Sequence, residues 1–338
     1  MLARARSLAG ALCLAVSASP LIAVAAQQPP APLLLEASIP LPDTGGRIDH
    51  LAIDLRRGRL FVAELGNGTV DIVDLASRKV AHRLSGLNEP QGIGYSPAAD
   101  TLAVASRGDG SVRLFRGEDL APAGIVQLGS DADNVRVDAS GRFAVGYGDG
   151  SIAVIDPASR TVLSEAKLTG HPEGFQLEPS GRAIVNVPDA RQIAVVDPAS
   201  GRQMATWRVP GFGSNFPMAL TRDGRIVAAV FRSPSRLVLL DASNGAVVQS
   251  LQTCGDADDV FFDERRYRIY VSCGSGSVAV AQDGYGGYRN LILIPTSSGA
   301  RTSLFVPELD RLFVAKRAGL LGREAAILVL RPQGDRAD

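Results

Sequence analysis

The chain repeats a unit of about 40 to 45 residues from Arg47 to its C-terminus. Two successive copies, beginning at Asn134 and Gly174, read NVRVDASGRFAVGYGDGSIAVIDPASRTVLSEAKL and GFQLEPSGRAIVNVPDARQIAVVDPASGRQMATWRV. Each copy has an apolar run, a turn of the pattern acidic-x-Ser-Gly-Arg, a second apolar run, a polar turn, a third run ending in Asp-Pro and a fourth strand-like segment. This period and this internal pattern are typical of four-stranded propeller blades.

Aligning the copies on their first strand gives seven starts, spaced by 42, 42, 40, 43, 42 and 43 residues. The starts are His50, Gly92, Asn134, Gly174, Pro217, Asp259 and Thr302. The second strands, such as Arg59-LFVAE, are short, branched and apolar, as expected of strands packed between neighbouring blades. The sequence therefore predicts an all-β protein, a seven-bladed β-propeller of four-stranded antiparallel blades over residues 33–333.

The last repeat lacks a clear fourth strand. Residues 315–325 interrupt it, and only the strand at 326–331 follows before the chain ends. The segment Leu33–Leu41 is strand-like and precedes the first blade. We therefore predict that this N-terminal strand completes the last blade, which closes the ring and removes an exposed sheet edge.

The N-terminus has the pattern of a secretory signal peptide. Arg4 and Arg6 precede an apolar stretch from Leu8 to Val16, and Ala23-Val-Ala25 is a small-x-small cleavage signal. We predict a signal peptide at 1–25, a Pro-rich linker at 26–32 and a short tail at 334–338. The mature protein would be periplasmic or secreted, with no membrane span.

The charge balance bears on partners. Removing residues 1–25 takes away two of the 35 basic residues and none of the 35 acidic ones, which leaves 33 against 35. A nearly neutral chain lacks the large basic footprint of a nucleic-acid-binding protein, so we expect no nucleic acid partner. We expect a monomer that binds a small ligand or a protein partner.

Two cysteines, Cys254 and Cys273, remain in the mature chain. In an exported protein an even number of cysteines favours a disulfide. Cys254 precedes the first strand of its blade and Cys273 ends the second, and antiparallel neighbours place the start of one strand beside the end of the next. We predict a Cys254–Cys273 disulfide; the alternative is two unpaired buried thiols.

The starts of the first strands gather polar residues. In a propeller the first strands line the central channel, so residues at and just before their starts meet at one mouth. Two of the three histidines fall there. The candidate ligand-binding rim consists of Asp49, His50, Gln91, Asp133, Asn134, His171, Glu173, Asn215, Asp258, Asp259 and Arg301.

Several chemistries fit such a rim. Its oxygens suit a hard cation such as Ca²⁺, and His50 with His171 would suit a transition metal. It could instead hold a polar or cationic small ligand, and Arg301 could bind a carboxylate or phosphate group of that ligand. The bland alternative is that each Asp caps a turn through nearby backbone N–H groups.

The repeats resemble the YVTN family of seven-bladed propellers, the YncE-like exported proteins. The features that match are Arg268-IYVS and Arg59-LFVA, variants of the strand that names the family, and the later strands Val70-DIVD and Ala194-VVDP. None of the repeats has a literal Tyr-Val-Thr-Asn, and the last blade is interrupted. The resemblance implies the propeller fold and a binding role.

These observations favour an exported binding protein rather than an enzyme, with no cofactor beyond a possible divalent cation. The first alternative is a metal-dependent hydrolase, because the rim is chemically similar to that of gluconolactonase-like propellers, although those have six blades. Its ion would be held by Asp133, Asn134, Glu173, Asp258 and His50, with His50 or His171 as the base. The second alternative is a protein-docking scaffold.

Overall fold

The computed structural model describes Leu2 and residues 31–284, 286–319 and 324–334. Its 28 strands form seven sheets, each of four antiparallel strands, which confirms the predicted seven-bladed propeller. No helix in the part of the chain that the structure describes is long and apolar enough to cross a membrane.

The first four blades follow the chain in order. Blade 1 is β2 (Leu51–Asp54), β3 (Arg59–Glu64), β4 (Thr69–Asp74) and β5 (Lys79–Leu84). Blade 2 is β6 (Pro90–Ser96), β7 (Thr101–Ser106), β8 (Ser111–Arg116) and β9 (Pro122–Gln127). Blade 3 is β10 (Ala132–Val137), β11 (Phe143–Tyr147), β12 (Ser151–Asp156) and β13 (Thr161–Lys167). Blade 4 is β14 (Phe175–Leu177), β15 (Ala183–Val187), β16 (Gln192–Asp197) and β17 (Arg202–Trp207).

The remaining blades complete the ring. Blade 5 is β18 (Gly213–Leu220), β19 (Ile226–Ser233), β20 (Ser235–Asp241) and β21 (Val247–Gln252). Blade 6 is β22 (Ala257–Asp263), β23 (Arg268–Cys273), β24 (Ser277–Gly284) and β25 (Gly287–Pro295). Blade 7 is β26 (Ser303–Val306), β27 (Arg311–Lys316), β28 (Ala325–Pro332) and β1 (Leu33–Leu41).

Strand β1 closes the ring as the sequence predicts. It pairs antiparallel with β28, from Leu33 opposite Pro332 to Leu41 opposite Ala325. It is the outermost strand of blade 7, in the order β1-β28-β27-β26. The N-terminal strand therefore supplies the fourth strand that the last repeat lacks.

The apolar core lies between neighbouring blades. Phe61 and Val70 of blade 1, for example, share one buried cluster with Ile93 and Leu102 of blade 2. Because both faces of each blade are covered in this way, the inner strands are apolar on both sides rather than alternating. This explains the short apolar runs that mark the second and third strands in the sequence.

The disulfide prediction is confirmed. Cys254 and Cys273 are bonded, with their Cα atoms 5.9 Å apart. Cys254 lies in the connection that leads into β22, and Cys273 is the last residue of β23. The bond therefore ties the entry of blade 6 to the end of its second strand.

Other predictions lie outside the described residues. The signal peptide at 1–25, except for Leu2, and residues 26–30 of the linker at 26–32 belong to them. Of the tail at 334–338, only Gly334 is described. Export and the processing of the N-terminus stay predictions.

Candidate ligand site at the channel mouth

A kink in the backbone shapes the mouth of the channel. The connections into blades 2, 3, 5 and 6 each contain a left-handed residue that is not glycine: Glu89 (φ 52°), Asp131 (φ 40°), Ser214 (φ 57°) and Asp256 (φ 58°). Asp is among the side chains that tolerate this region best, so Asp131 and Asp256 have a local reason to be there. The residue two positions after each of these lies near the start of a first strand and lines a cavity at the mouth; these residues are Gln91, Asp133, Phe216 and Asp258.

Two glycines let neighbouring blades approach closely at this level. A Cβ on Gly92 would lie 1.7 Å from the carbonyl oxygen of Asp133, and one on Gly174 would lie 2.5 Å from that of Phe216. The Gly174 N–H donates a hydrogen bond to this Phe216 oxygen at 3.0 Å. Only glycine allows such contacts, which bring the side chains of adjacent blades together.

Most of the predicted rim residues meet in one narrow ring. The ring encloses a cavity of about 30 Å³, enough for a group of one or two heavy atoms. The predicted residues that line it are Asp49, His50, Gln91, Asp133, Asn134, Glu173, Asp258 and Asp259. His171 and Arg301 do not line the cavity but contact Asp133 and Asp258 of the ring.

Asn215 is the predicted rim residue that the structure places elsewhere. Its side-chain amide donates to the side-chain oxygen of Asn186 at 2.8 Å and to the carbonyl of Gln192 at 3.0 Å. It is 1 % exposed and joins blade 5 to blade 4. Asn215 therefore acts in packing between blades and does not face the ring.

Asp133 lies between two imidazoles. Its carboxylate oxygens are 3.7 Å from Nε2 of His50 and 3.7 Å from Nε2 of His171. His171 Nδ1 donates a hydrogen bond to the carbonyl of Gly148 at 2.6 Å, which fixes the ring orientation. Three blades thus contribute to one acid–imidazole cluster.

The cluster shifts the pKa of each member. Burial works to raise the pKa of Asp133, but the two imidazoles outweigh it and hold that pKa well below its usual range. Burial likewise opposes protonation of His50 and His171, yet Asp133 and nearby carboxylates raise the pKa of each to about 9. At neutral pH both histidines are therefore cationic and act as hydrogen-bond donors rather than as bases.

Three other carboxyls of the ring shift in the opposite sense. Burial, reinforced by neighbouring carboxylates, raises the pKa of Asp49 to about 6. It raises the pKa of Glu173 to about 7 and that of Asp259 to about 7. These carboxyls change charge near neutral pH, so the charge of the ring follows the surrounding medium.

Arginines pair with two further carboxylates of the ring, Asp258 and Asp49. Asp258 accepts one hydrogen bond from Arg232 and forms an ion pair with Arg301 Nε at 2.8 Å. Arg232 also stacks on Phe216, with its guanidinium carbon 3.9 Å from the ring centroid. Arg47 binds Asp49 at 2.8 Å. Asp258 is thus neutralised by two cations of the protein itself.

Several acceptors in the ring receive no hydrogen bond from the described residues. Gln91 Oε1, Asp133 Oδ1 and Asn134 Oδ1 are all closed to solvent, and of the three only Asp133 Oδ1 has a charged neighbour, the His50 imidazole at 3.7 Å. An unpaired buried acceptor costs about 1–3 kcal/mol, and native proteins contain few of them. The two amide oxygens beside one small cavity would be satisfied by a ligand group that carries a hydrogen-bond donor.

The five residues proposed to hold a metal ion are all part of this ring. Their surroundings do not suit an ion, because Asp258 is engaged by two guanidiniums and Asp133 by two imidazoles. Among the residues described, no group of three or more His, Cys, Asp or Glu side chains is arranged as a metal site.

Beyond the ring the channel widens. It forms a cavity of about 720 Å³ that shares His50, Arg136, Met218 and Asp259 with the ring. Much of its wall consists of apolar side chains on first strands: Ile53, Val137, Leu220, Phe262 and Leu304. Charged side chains line it at both ends, His50, Arg136 and Asp259 beside the ring and Arg222, Glu264 and Asp310 at the other end. A cavity of this size, with both apolar and polar walls, can hold a small molecule.

Sequence reasoning missed several arginines of the mouth. Arg232 lies near the end of β19 and Arg317 just beyond the end of β27. The signal was present, because second strands end where first strands begin, the same relation that places the two cysteines side by side. Arg136, which projects from β10 into the channel, leaves no comparable signal in the sequence.

No family model matches the chain, and no curated protein matches it. Among solved structures it is similar to hydrazine synthase from Kuenenia stuttgartiensis, at 17 % identity over 79 % of this chain and 92 % of that one, with a TM-score of 0.70. A chain of the mitotic checkpoint complex matches at 14 % identity over 96 % and 99 % of the two chains, with a TM-score of 0.74. The Cps50 (Swd1) β-propeller domain of Myceliophteria thermophila matches at 15 % over 89 % and 100 %, with a TM-score of 0.70. At these identities the similarity shows the propeller fold alone.

Proposed function

We propose that the chain is an exported binding protein that holds a small ligand in its central channel. The end of the ligand that lies in the ring carries a hydrogen-bond donor. The observation that carries this proposal is the pair of unpaired buried amide oxygens, Gln91 Oε1 and Asn134 Oδ1, that lie with the Asp133 carboxylate around one cavity. An ammonium or hydroxyl group supplies the hydrogen bonds that these oxygens lack.

The dimensions of the site define the ligand further. The ring accepts a group of one or two heavy atoms, whereas the wider channel behind it, at about 720 Å³, accommodates the body of a small molecule. That wall mixes apolar side chains, such as Val137 and Leu220, with charged ones, so the ligand combines an apolar portion with a polar end that carries a hydrogen-bond donor. Glu173, whose pKa burial raises to about 7, adds a carboxylate that favours a cationic end as the pH rises.

The cellular setting is part of the proposal. The signal-peptide pattern at 1–25 supports export, and the Cys254–Cys273 bond suits an oxidising compartment. The strand patterns of the repeats support membership of the YVTN, YncE-like, propellers. The metal-dependent hydrolase and the docking scaffold remain the alternatives, and neither is favoured by a specific contact in the ring.

The test is a melting-temperature screen of the mature protein with primary alkylamines and alkyl alcohols of increasing chain length. A ligand of this class raises the melting temperature by an amount set by its concentration over its Kd. We expect the effect to grow with chain length and to be reduced in Asn134→Leu. The matched control is Asn244→Leu, an exposed residue that only caps a turn of blade 5.

Two outcomes decide against the proposal. One is that no amine or alcohol stabilises the protein; the other is that Asn134→Leu and Asn244→Leu respond alike. A parallel arm with Ca²⁺, Zn²⁺ and chelator addresses the hydrolase alternative. Saturable stabilisation by metal alone, together with chelator-sensitive lactone hydrolysis, would favour that alternative instead.

A further inference from the structure

Arg317 stands out among the arginines of the mouth because its guanidinium has no partner. Its Nε and Nη2 are closed to solvent and make no hydrogen bond within the described part of the chain. Burial and the nearby charges of Arg301 and Arg47 lower the pKa of Arg317, the opposite of what an ion pair does. A buried guanidinium edge without an acceptor is costly to the folded state.

The two unpaired nitrogens form the edge of the guanidinium that binds carboxylates side-on. The same edge of Arg83 binds both oxygens of Asp71, Nε at 2.5 Å and Nη2 at 2.8 Å. That of Arg116 binds both oxygens of Asp119 at 3.0 and 2.6 Å. In Arg317 the protein offers this bidentate geometry, and the residues that the structure describes supply no acceptor for it.

Around Arg317 there is one more guanidinium than there are carboxylates to pair with it. Four guanidiniums, those of Arg47, Arg232, Arg301 and Arg317, lie near three carboxylates, those of Asp49, Asp256 and Asp258. Arg47 pairs with Asp49, while Arg232 and Arg301 share the other two. Arg317 is the one of the four that is left without an anion.

The guanidinium is also held in place by the backbone beneath it. Gly299 has a φ of +79°, and a Cβ built there would lie 3.5 Å from Cδ and 3.7 Å from Nε of Arg317. The side chain therefore packs over a position where glycine leaves room for it. Its position is set by packing rather than by an ion pair.

We propose that Arg317, with Arg301 and Arg47 beside it, forms an anion subsite at the channel mouth that takes a carboxylate or a phosphate through the Nε–Nη2 edge. This subsite is separate from the acceptor ring and does not depend on the donor-bearing ligand proposed above. An anion there pairs the fourth guanidinium and removes the repulsion among the three arginines.

The test uses acetate and inorganic phosphate as probes, each exchanged for chloride at constant ionic strength. We expect at least one of them to raise the melting temperature saturably in the wild type. Arg317→Gln should weaken the apparent affinity at least tenfold, and Arg317→Lys nearly as much, since an ammonium cannot bind an anion bidentately. Arg225→Gln is the control, because that side chain is 81 % exposed on a distant turn.

The melting temperature of the Arg317→Gln variant in chloride alone is a second test of the proposal. In chloride, Arg317→Gln should melt at or above the wild-type temperature, because it removes an unpaired buried cation. A response to acetate alone identifies a planar carboxylate site, and one to phosphate alone a tetrahedral site. The proposal is overturned if neither anion exceeds chloride, or if Arg317→Gln and Arg317→Lys keep the wild-type response. Neither result affects the amine and alcohol screen, which reports on Asn134.

Discussion

Charged residues cluster at both ends of this propeller, and the two clusters differ in how completely they are paired. At the hairpin face, where first strands turn into second strands, Arg57 of blade 1 binds both oxygens of Asp100 in blade 2 at 2.7 Å. Arg266 of blade 6 binds Asp310 of blade 7 in the same way, at 2.7 and 2.8 Å. At the channel mouth, by contrast, the buried amide oxygens of Gln91 and Asn134 and one edge of the half-buried Arg317 guanidinium receive no hydrogen-bond partner from the described residues.

The hairpin-face contacts form a repeated clamp. Arg266 also binds Asp263 of its own blade at 3.1 Å, and Tyr270 donates to the same carboxylate at 2.5 Å. Arg57 binds Asp54 of its own blade at 2.9 Å. Each of these carboxylates is paired within the protein, so the clamp joins adjacent blades even where Asp263, Arg266 and Asp310 line the wide channel.

The difference teaches how to separate structure from function in a repeat protein. The two faces use the same residue types, Asp, Arg and aromatic side chains, so composition alone does not distinguish them. What distinguishes the two faces is how completely their hydrogen-bonding groups are paired, which we call saturation. Groups that are paired within the protein stabilise the fold. Buried groups that are left unpaired cost stability, and we interpret them as binding groups for a partner. The following substitutions test that division, from the largest expected effect to the smallest.

Arg266→Ala should cost the most stability. It leaves Asp263 and Asp310 without their shared cation, and Asp263 is 2 % exposed, so we expect a loss of about 3–5 kcal/mol in the free energy of unfolding. Denaturant titration measures this loss. Arg225→Ala, at an 81 % exposed side chain, should stay within about 0.5 kcal/mol. Equal effects of the two substitutions would mean that the clamp is not structural.

Gly92→Ala should disturb the mouth while leaving the clamps intact. The added methyl would meet the Asp133 carbonyl at 1.7 Å, so the two blades must separate locally, at a cost of about 1–3 kcal/mol. Stabilisation by the ring ligand should also be lost, which thermal melts with and without ligand would show. Gly45→Ala is the control, since a Cβ there meets nothing within 4 Å. Unaltered ligand binding in Gly92→Ala would contradict the close-approach argument.

His171→Gln should change how stability depends on pH. The folded pKa of His171, about 9, exceeds the ordinary value of 6.5, so the native state binds this proton more tightly than the unfolded chain. The contribution is complete below pH 6.5 and is lost as the pH rises through 9, on the order of 2–3 kcal/mol. Unfolding free energies between pH 6 and 9.5 should fall less steeply in the variant. His82→Gln, at an exposed position on β5, should keep the wild-type slope; a wild-type slope in His171→Gln as well would contradict the prediction.

Asn134→Leu should have the smallest effect on stability. It removes an unpaired acceptor from a 3 % exposed position, so we expect a change of less than about 1 kcal/mol. Asn186→Leu is the matched comparison, because that side chain is also buried but donates to the carbonyls of Phe216 and Pro217. It should cost about 1–3 kcal/mol. The saturation argument fails if Asn134→Leu destabilises the protein as much as Asn186→Leu does.

The repeat determined most of what could be predicted. Regular spacing located all seven blades, the missing fourth strand indicated closure by Leu33–Leu41, and the strand starts brought together every rim residue except Asn215. Asn215 is the exception because its amide donates to Asn186 and Gln192 of blade 4, contacts between side chain and neighbouring blade that the repeat spacing does not reveal. The repeat alignment selected the second Asp of each Asp-Ala-Asp segment, Asp133 and Asp258, and both line the ring, whereas the left-handed conformation of Asp131 is visible only in the backbone. Which polar side chains pair with each other depends on the geometry between neighbouring blades, which are about 40 residues apart in the sequence. The spacing of the repeats does not predict these hydrogen bonds and ion pairs.

Closure by β1 and β28 has a consequence for how the molecule is made. The first strand of the ring to be synthesised hydrogen-bonds only to the last, nearly 300 residues later in the sequence. Blades 1 to 6 can assemble from local pairings as they emerge, but β1 has no sheet to join until the final strand arrives. During synthesis the nascent chain therefore carries one orphan strand with an open edge, and a chain cut short before Ala325 never covers it.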